Sequence, residues 1–142
     1  MNAIQHRIEI DSPQKAVFQA ISTIDGLSAW WTQTTSGEST LGNEIDFRFG
    51  EHVTSFKVTA IEPASRVGWE CVRSAPDWLG TNVTFALTES EGKTSVNFAH
   101  SDWREANDFF GHCSMKWAVF LLSLKQYVET GEGQPFPNDV SV

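Results

Sequence analysis

The sequence predicts an α+β fold in which a curved antiparallel sheet of about six strands wraps around one long C-terminal helix. Three observations carry this. Between Glu44 and His100, apolar and polar residues alternate in short segments separated by turn signals, the period of strands with one buried face. The connections between these segments are too short for crossovers, so neighbouring strands run antiparallel. Further on the period changes: Phe110, Cys113, Trp117, Phe120, Leu124 and Tyr127 recur at spacings of 3, 4, 3, 4 and 3, tracing one apolar helical seam.

The first strand runs from Ile4 to Asp11, with Ile4, His6, Ile8 and Ile10 on the inner face and Gln5, Arg7 and Glu9 opposite. Ser12 offers a side-chain oxygen as a helix cap, and Pro13 fits a first turn, where its missing N–H costs nothing. Ala16, Val17, Ala20 and Ile21 form the stripe of a short helix that Asp25-Gly26 breaks. A second short helical segment, Leu27 to Trp31, ends in two adjacent tryptophans that cannot point the same way, so one of them is expected to be only partly covered.

After a polar loop, Thr32 to Thr40, Ile45, Phe47 and Phe49 alternate with Glu44, Asp46 and Arg48. The following strands put Phe56, Val58 and Ala60, then Val67, Trp69 and Cys71, then Val83, Phe85 and Leu87, then Val96, Phe98 and His100 on one face. Gly50-Glu51, Glu62-Pro63, Ser74 to Gly80, and Glu91-Gly92 supply the turns. The other sheet face is largely polar and faces water. The long helix is expected to start near Asp102, where Asp102-Trp103-Arg104-Glu105 has the form of a capping box, and to end at Gly131. Gly111 costs about 1 kcal/mol relative to alanine inside this helix and marks a candidate kink. The segment Gln134 to Val142, with Pro135 and Pro137, reads as an extended or disordered tail.

A chain of 142 residues buries enough surface for one hydrophobic core, so residues 1–142 read as a single domain. Eighteen acidic residues against 10 basic ones give a net charge of −8, which repels a phosphate backbone and argues against nucleic acid and anionic membrane as partners. No apolar run follows Met1 and no stretch approaches roughly 20 apolar residues, so neither a leader nor membrane insertion is expected and the cytoplasm is the expected location. Cys71 and Cys113 are far apart, without CxxC spacing, and read as free thiols. His100, Asp102 and His112 have metal-ligating atoms but lack the spacing that puts three ligands on one rigid element; no metal and no cofactor are expected. GxGxxG, GxxxxGK and GxSxG are all absent, so nucleotide and serine-hydrolase chemistry have no support.

Bulky rings lining a curled sheet are hard to interdigitate without gaps, and the space left beneath a helix is apolar. Trp31, Phe47, Phe49, Phe56, Trp69, Phe85, Phe98, Phe110 and Trp117 are therefore candidate cavity residues as well as core residues. His100 is the candidate polar group, able to bond a ligand oxygen; the alternative is a core histidine bonded to backbone or to a neighbour such as Asp102. Cys113, on the helix seam, is a candidate cavity neighbour and reads as an inert thiol, because His112 points about 100° away from it. No catalytic residue is assigned.

Ser12 to Ile21, Asp25-Gly26-Leu27 and Trp30-Trp31 resemble the opening of START-like (SRPBCC, helix-grip) domains, in particular the branch of homologues of the activator of the heat-shock-protein-ninety ATPase. Trp117 through Leu121, Ser123-Leu124-Lys125, Tyr127-Val128-Glu129 and Thr130-Gly131 resemble that branch's final helix. The resemblance implies a helix-grip fold around a cavity for a lipid, polyketide-like or aromatic molecule. It equally admits two other roles, because fold does not fix function. One is a chaperone-associated module of the stress response, or a homodimer contact, using a surface near Trp30, Trp31 and Trp78. The other is an enzyme acting on a hydrophobic substrate with a histidine base.

Overall fold

The computed structural model describes residues 1–142. Asn2–Ile10 form β1, Gln14–Ser22 α1 and Ile24–Trp30 α2. Strands β2 (Thr35–Gly37), β3 (Glu44–Phe49), β4 (His52–Glu62), β5 (Arg66–Arg73), β6 (Asn82–Ser90) and β7 (Lys93–Trp103) follow, and α3 (Asp108–Thr130) comes last. The seven strands make one antiparallel sheet in the order β1-β7-β6-β5-β4-β3-β2. Register carries the alternation across the sheet: Ile45 faces Phe56, Val58 faces Trp69, Trp69 faces Val83, Phe85 faces Phe98 and His100 faces Ile4. Every one of these residues lands on the same inner face. Register shifts in β4, at Ser55/Phe56 and Val58/Ala60, are bulges of the kind that bend a strand, and they help the sheet curl around α3.

The extra strand is β2, inside the loop expected to be irregular. It pairs with β3 through Thr35, Ser36 and Gly37. Gly37 has φ +110°, and a Cβ there would lie 2.4 Å from the Glu44 carbonyl oxygen, so only glycine lets the chain approach this edge.

Helix boundaries differ from expectation in three places. Ser12 does not cap α1: Pro13 holds the cap position without a side-chain bond, and the Ser12 carbonyl accepts from Thr94 Oγ1 at 2.7 Å. The two short helices part at Thr23, whose extended backbone ends α1 and whose Oγ1 accepts from the Gly26 amide, so Asp25-Gly26 opens α2 instead of breaking α1. The long helix starts six residues later than the capping-box pattern indicated, because β7 continues to Trp103, paired with Asn2. Asp102 takes φ 68° and accepts from Asn82 Nδ2, while Asn107 caps α3 through the Phe110 amide at 3.0 Å. Gly111 sits in the first turn of a continuous helix, and Gly131, left-handed at φ 92°, ends it.

Both tandem tryptophans are buried, Trp30 at 0% and Trp31 at 2% exposure, against the expectation that one would be partly open. The reason is that α2 packs against α1, α3 and β2, so both directions its last turn presents are covered. The terminal segment is also engaged. The Phe136 amide donates to the Trp31 carbonyl at 2.7 Å, the Gln33 amide donates back to Phe136, and Lys116 pairs with Asp139.

Candidate functional site

A cavity of about 720 Å³ opens between α3, the β3–β4 hairpin and the terminal segment. One wall is the α3 surface carrying His112, Cys113, Lys116, Trp117 and Phe120. Phe49, His52, Val53 and Thr54 line it from the hairpin, and Ser74, Ala75 and Trp78 from the β5–β6 connection. Phe136, Pro137, Asp139 and Ser141 close it from the tail, and Trp31 reaches it from the end of α2. The hairpin, the β5–β6 connection and the tail are separate in sequence; α3 is the element they share.

The walls are mostly apolar and their polar groups are partly committed. Trp78 stacks on Trp117 at 12°, and its buried indole N–H has no oxygen or nitrogen partner, only the weak acceptor sulfur of Cys113. Thr54 Oγ1 and Ser74 Oγ bond each other at 3.0 Å. Lys116 stands 5.0 Å from the centre of the Phe120 ring while it pairs with Asp139. Burial pushes the Cys113 thiol up to about 11, so it is a neutral thiol and no nucleophile. Cys71, raised to about 11 for the same reason, is free and buried as well.

The structure distributes the sequence-derived candidates over two places. Trp31, Phe49, Cys113 and Trp117 line the cavity. Phe47, Phe56, Trp69, Phe85 and Phe98 lie behind them in the packed core, with ring centres 5.6 Å apart for Phe47–Trp69 and Phe56–Trp69, 5.3 Å for Trp69–Phe85 and 5.2 Å for Phe85–Phe98. Phe110 is half-buried, edge-on to Trp103 at 5.1 Å. His100 is fully buried with both ring nitrogens engaged: Nδ1 accepts from the Trp117 indole N–H at 3.0 Å, and Nε2 bonds Thr81 Oγ1 at 2.7 Å.

An indole N–H only donates, so Nδ1 is the acceptor and Nε2 carries the proton toward Thr81, whose hydroxyl passes its own to the Trp78 carbonyl at 2.5 Å. Burial pulls the His100 pKa down to about 3, which keeps the ring neutral. In this tautomer His100 cannot take a proton from Thr81. What it does is fix the ring of Trp117 at the cavity wall. Asp102 is not its partner, being bonded to Asn82.

Sequence reasoning missed His52, Thr54, Ser74, Lys116 and the tail residues Phe136 and Asp139 as cavity neighbours. Lys116 was within reach of helical spacing, one position before Trp117 and four before Phe120. The tail was not, since its place depends on pairing with Trp31 and Gln33, a hundred residues away in the chain.

The sequence pattern of the Activator of Hsp90 ATPase homolog 1-like protein family matches residues 11–129. The chain belongs to this family. The Aha1 relative from Colwellia psychrerythraea, described as a dimer in solution, is 44% identical over 94% of this chain and 100% of its own, with a TM-score of 0.86. Two further neighbours share the Aha1-type fold at lower identity. SSP2350 from Staphylococcus saprophyticus is 21% identical over 93% of this chain and 95% of its own, with a TM-score of 0.77. CalU16 from Micromonospora echinospora is 18% identical over 92% and 75%, with a TM-score of 0.75. No curated protein matches the chain.

Proposed function

We propose that this Aha1-type domain binds an apolar small molecule in the cavity beside α3. The observation that supports this reading is the cavity itself, about 720 Å³ and walled by Trp31, Phe49, Trp78, Trp117, Phe120 and Phe136. That volume falls in the range of about 300–1,000 Å³ that takes drug-sized ligands. Of the residues singled out in the sequence, Trp31, Phe49, Cys113 and Trp117 would touch the ligand, Phe47, Phe56, Trp69, Phe85 and Phe98 would hold the wall rigid, and His100 would hold Trp117. Burying about 400 Å² of apolar surface, ligand and wall together, contributes roughly 10 kcal/mol, which association costs reduce, so affinity in the micromolar range or weaker is the expectation. Unpaired Cys71 and Cys113 suit a reducing compartment, and we place the protein in the cytoplasm on that ground.

Titration with Nile red, a neutral apolar fluorophore, tests the reading. One equivalent should bind with a blue shift, and Val53→Trp or Ala75→Trp, which put an indole into the cavity, should weaken binding while thermal unfolding stays close to wild type. Unchanged binding in both folded variants refutes the assignment.

Self-association is a second reading, favoured by the dimeric Colwellia relative and by an apolar stripe on the outer face of α3. Met115 and Leu122 are 58% and 59% exposed there and lie two turns apart, with half-buried Val119 between them. Sedimentation equilibrium should give a dimer that Met115→Lys with Leu122→Lys dissociates; a monomer at all concentrations rejects it. Of the three tryptophans named for a chaperone-contact surface, Trp30 and Trp31 are buried and Trp78 is half-buried, so such a contact would have only Trp78 of the three to use.

A further inference from the structure

The Lys116 ammonium is the cation of the cavity wall, and the group that holds it comes from the tail. It pairs with the Asp139 carboxylate and donates to the Val140 carbonyl at 3.1 Å. Both side chains are largely withdrawn from water, Lys116 at 23% and Asp139 at 8% exposure. Removing one member of such a pair is costly, because the other charge stays behind in a poorly solvated place. Exchanging Asp139 for another carboxylate avoids that cost.

The charge pattern around the cavity points the same way. The chain has 18 acidic residues against 10 Lys and Arg, yet its cavity wall carries a single carboxylate, Asp139, beside Lys116, His52 and His112. Asp77 is exposed and close enough to Cys113 to raise its thiol slightly, but it lies outside the wall. The Trp78 N–H, which has only the weak acceptor sulfur of Cys113 beside it, adds a second donor without an oxygen partner. A wall that holds a cation and a donor met only by sulfur, and no free carboxylate, favours an apolar ligand that ends in an anion.

We propose that the cavity takes apolar carboxylates, an aliphatic or aromatic body with one anionic end, and that this end displaces Asp139 from Lys116 and releases the tail. The proposal rests on the cavity reading above and narrows it to a ligand class. Asp139 is then a built-in competitor: with the cavity empty the tail is latched over it, and ligand entry unlatches residues 134–142. A carboxylate is the anion of choice because a carboxylate already satisfies Lys116 in this geometry.

Displacement of Nile red from the full chain by decanoate, decanol and decylamine tests it. Decanoate should compete about tenfold more strongly than decanol, and decylamine more weakly than either. Lys116→Met should bring decanoate down to the level of decanol without changing decanol, and Lys116→Arg should keep the preference. Asp139→Asn should raise decanoate affinity severalfold, and hydrogen exchange across residues 134–142 should speed up with decanoate and not with decanol. Should Lys116→Met fail to unfold cooperatively, Lys116→Gln serves in its place, since it also removes the charge. Equal competition by decanoate and decanol in the wild type overturns the anion proposal and leaves the cavity reading standing. Failure of Nile red and of every chain to bind brings down both.

Discussion

Trp31 and Trp117 stand between two aromatic regions built from the same kinds of residue and packed in opposite ways. Behind them Trp69 is stacked parallel to Trp31 at 6.1 Å and is met by Phe47, Phe56 and Phe85 at 5.3–5.6 Å, all fully buried. In front, Phe49, Trp78, Phe120 and Phe136 surround open space. Aromatic content does not decide which region is hollow. The sheet centre is hydrogen-bonded on both sides of every strand and closes its rings against α2 and α3. The turn end of the β3–β4 hairpin and the tail meet α3 only through loops and side chains, and the gap between them is the cavity.

The difference predicts two kinds of mutational response, and the largest effect belongs to the solid region. Trp69→Ala removes a ring whose neighbours are locked in position and should cost about 3–5 kcal/mol, read from urea unfolding. Phe49→Ala, at a half-buried wall position, should cost less than about 2 kcal/mol and instead weaken Nile red binding. If both variants lose stability equally, the contrast between core and cavity wall is wrong.

The core was legible in the sequence and the cavity mostly was not, for a reason visible in particular residues. Alternation in strands and the spacing of Cys113, Trp117, Phe120 and Leu124 report which face is buried, because burial on one face is what those periods mean. They do not report how far a buried face stands from the next element. Phe47 and Phe49, two residues apart on β3, are equally apolar, yet Phe47 is sealed in the core and Phe49 borders open space beside Phe136 at 5.4 Å. Asp102-Trp103-Arg104-Glu105 misled for a related reason. Its local capping signal loses to long-range pairing, in which Ser101 and Trp103 are held by Asn82 and Asn2. The tail, read as extended or disordered, forms no helix or sheet strand of its own; what its prolines and polar residues could not report is that Trp31, Gln33 and Lys116 hold it in place.

His100 couples the two regions, and a smaller effect follows from it. It is buried in the core, yet the ring it bonds, Trp117, is a cavity wall. His100→Leu leaves the Trp117 N–H and the Thr81 hydroxyl without that partner and should cost about 2–3 kcal/mol at pH 7. The pH dependence has a definite sign. With its pKa lowered from 6.5 to about 3 in the folded state, the ring binds its proton in the unfolded chain first. The unfolded state therefore holds more protons across that interval, and the wild type loses stability as pH falls from about 6.5 toward 3, while above 6.5 the effect is absent. The leucine variant lacks this titration, so the gap between the two proteins should be widest near pH 7 and narrow steadily on acidification. Denaturation curves at intervals between pH 7 and about 4 measure it, and the carboxylates common to both chains cancel in the difference. A gap that stays constant over that interval means His100 binds its proton in the folded protein as readily as in the unfolded chain, and the hydrogen-bonded link from core to cavity wall through Trp117 would then have to be abandoned.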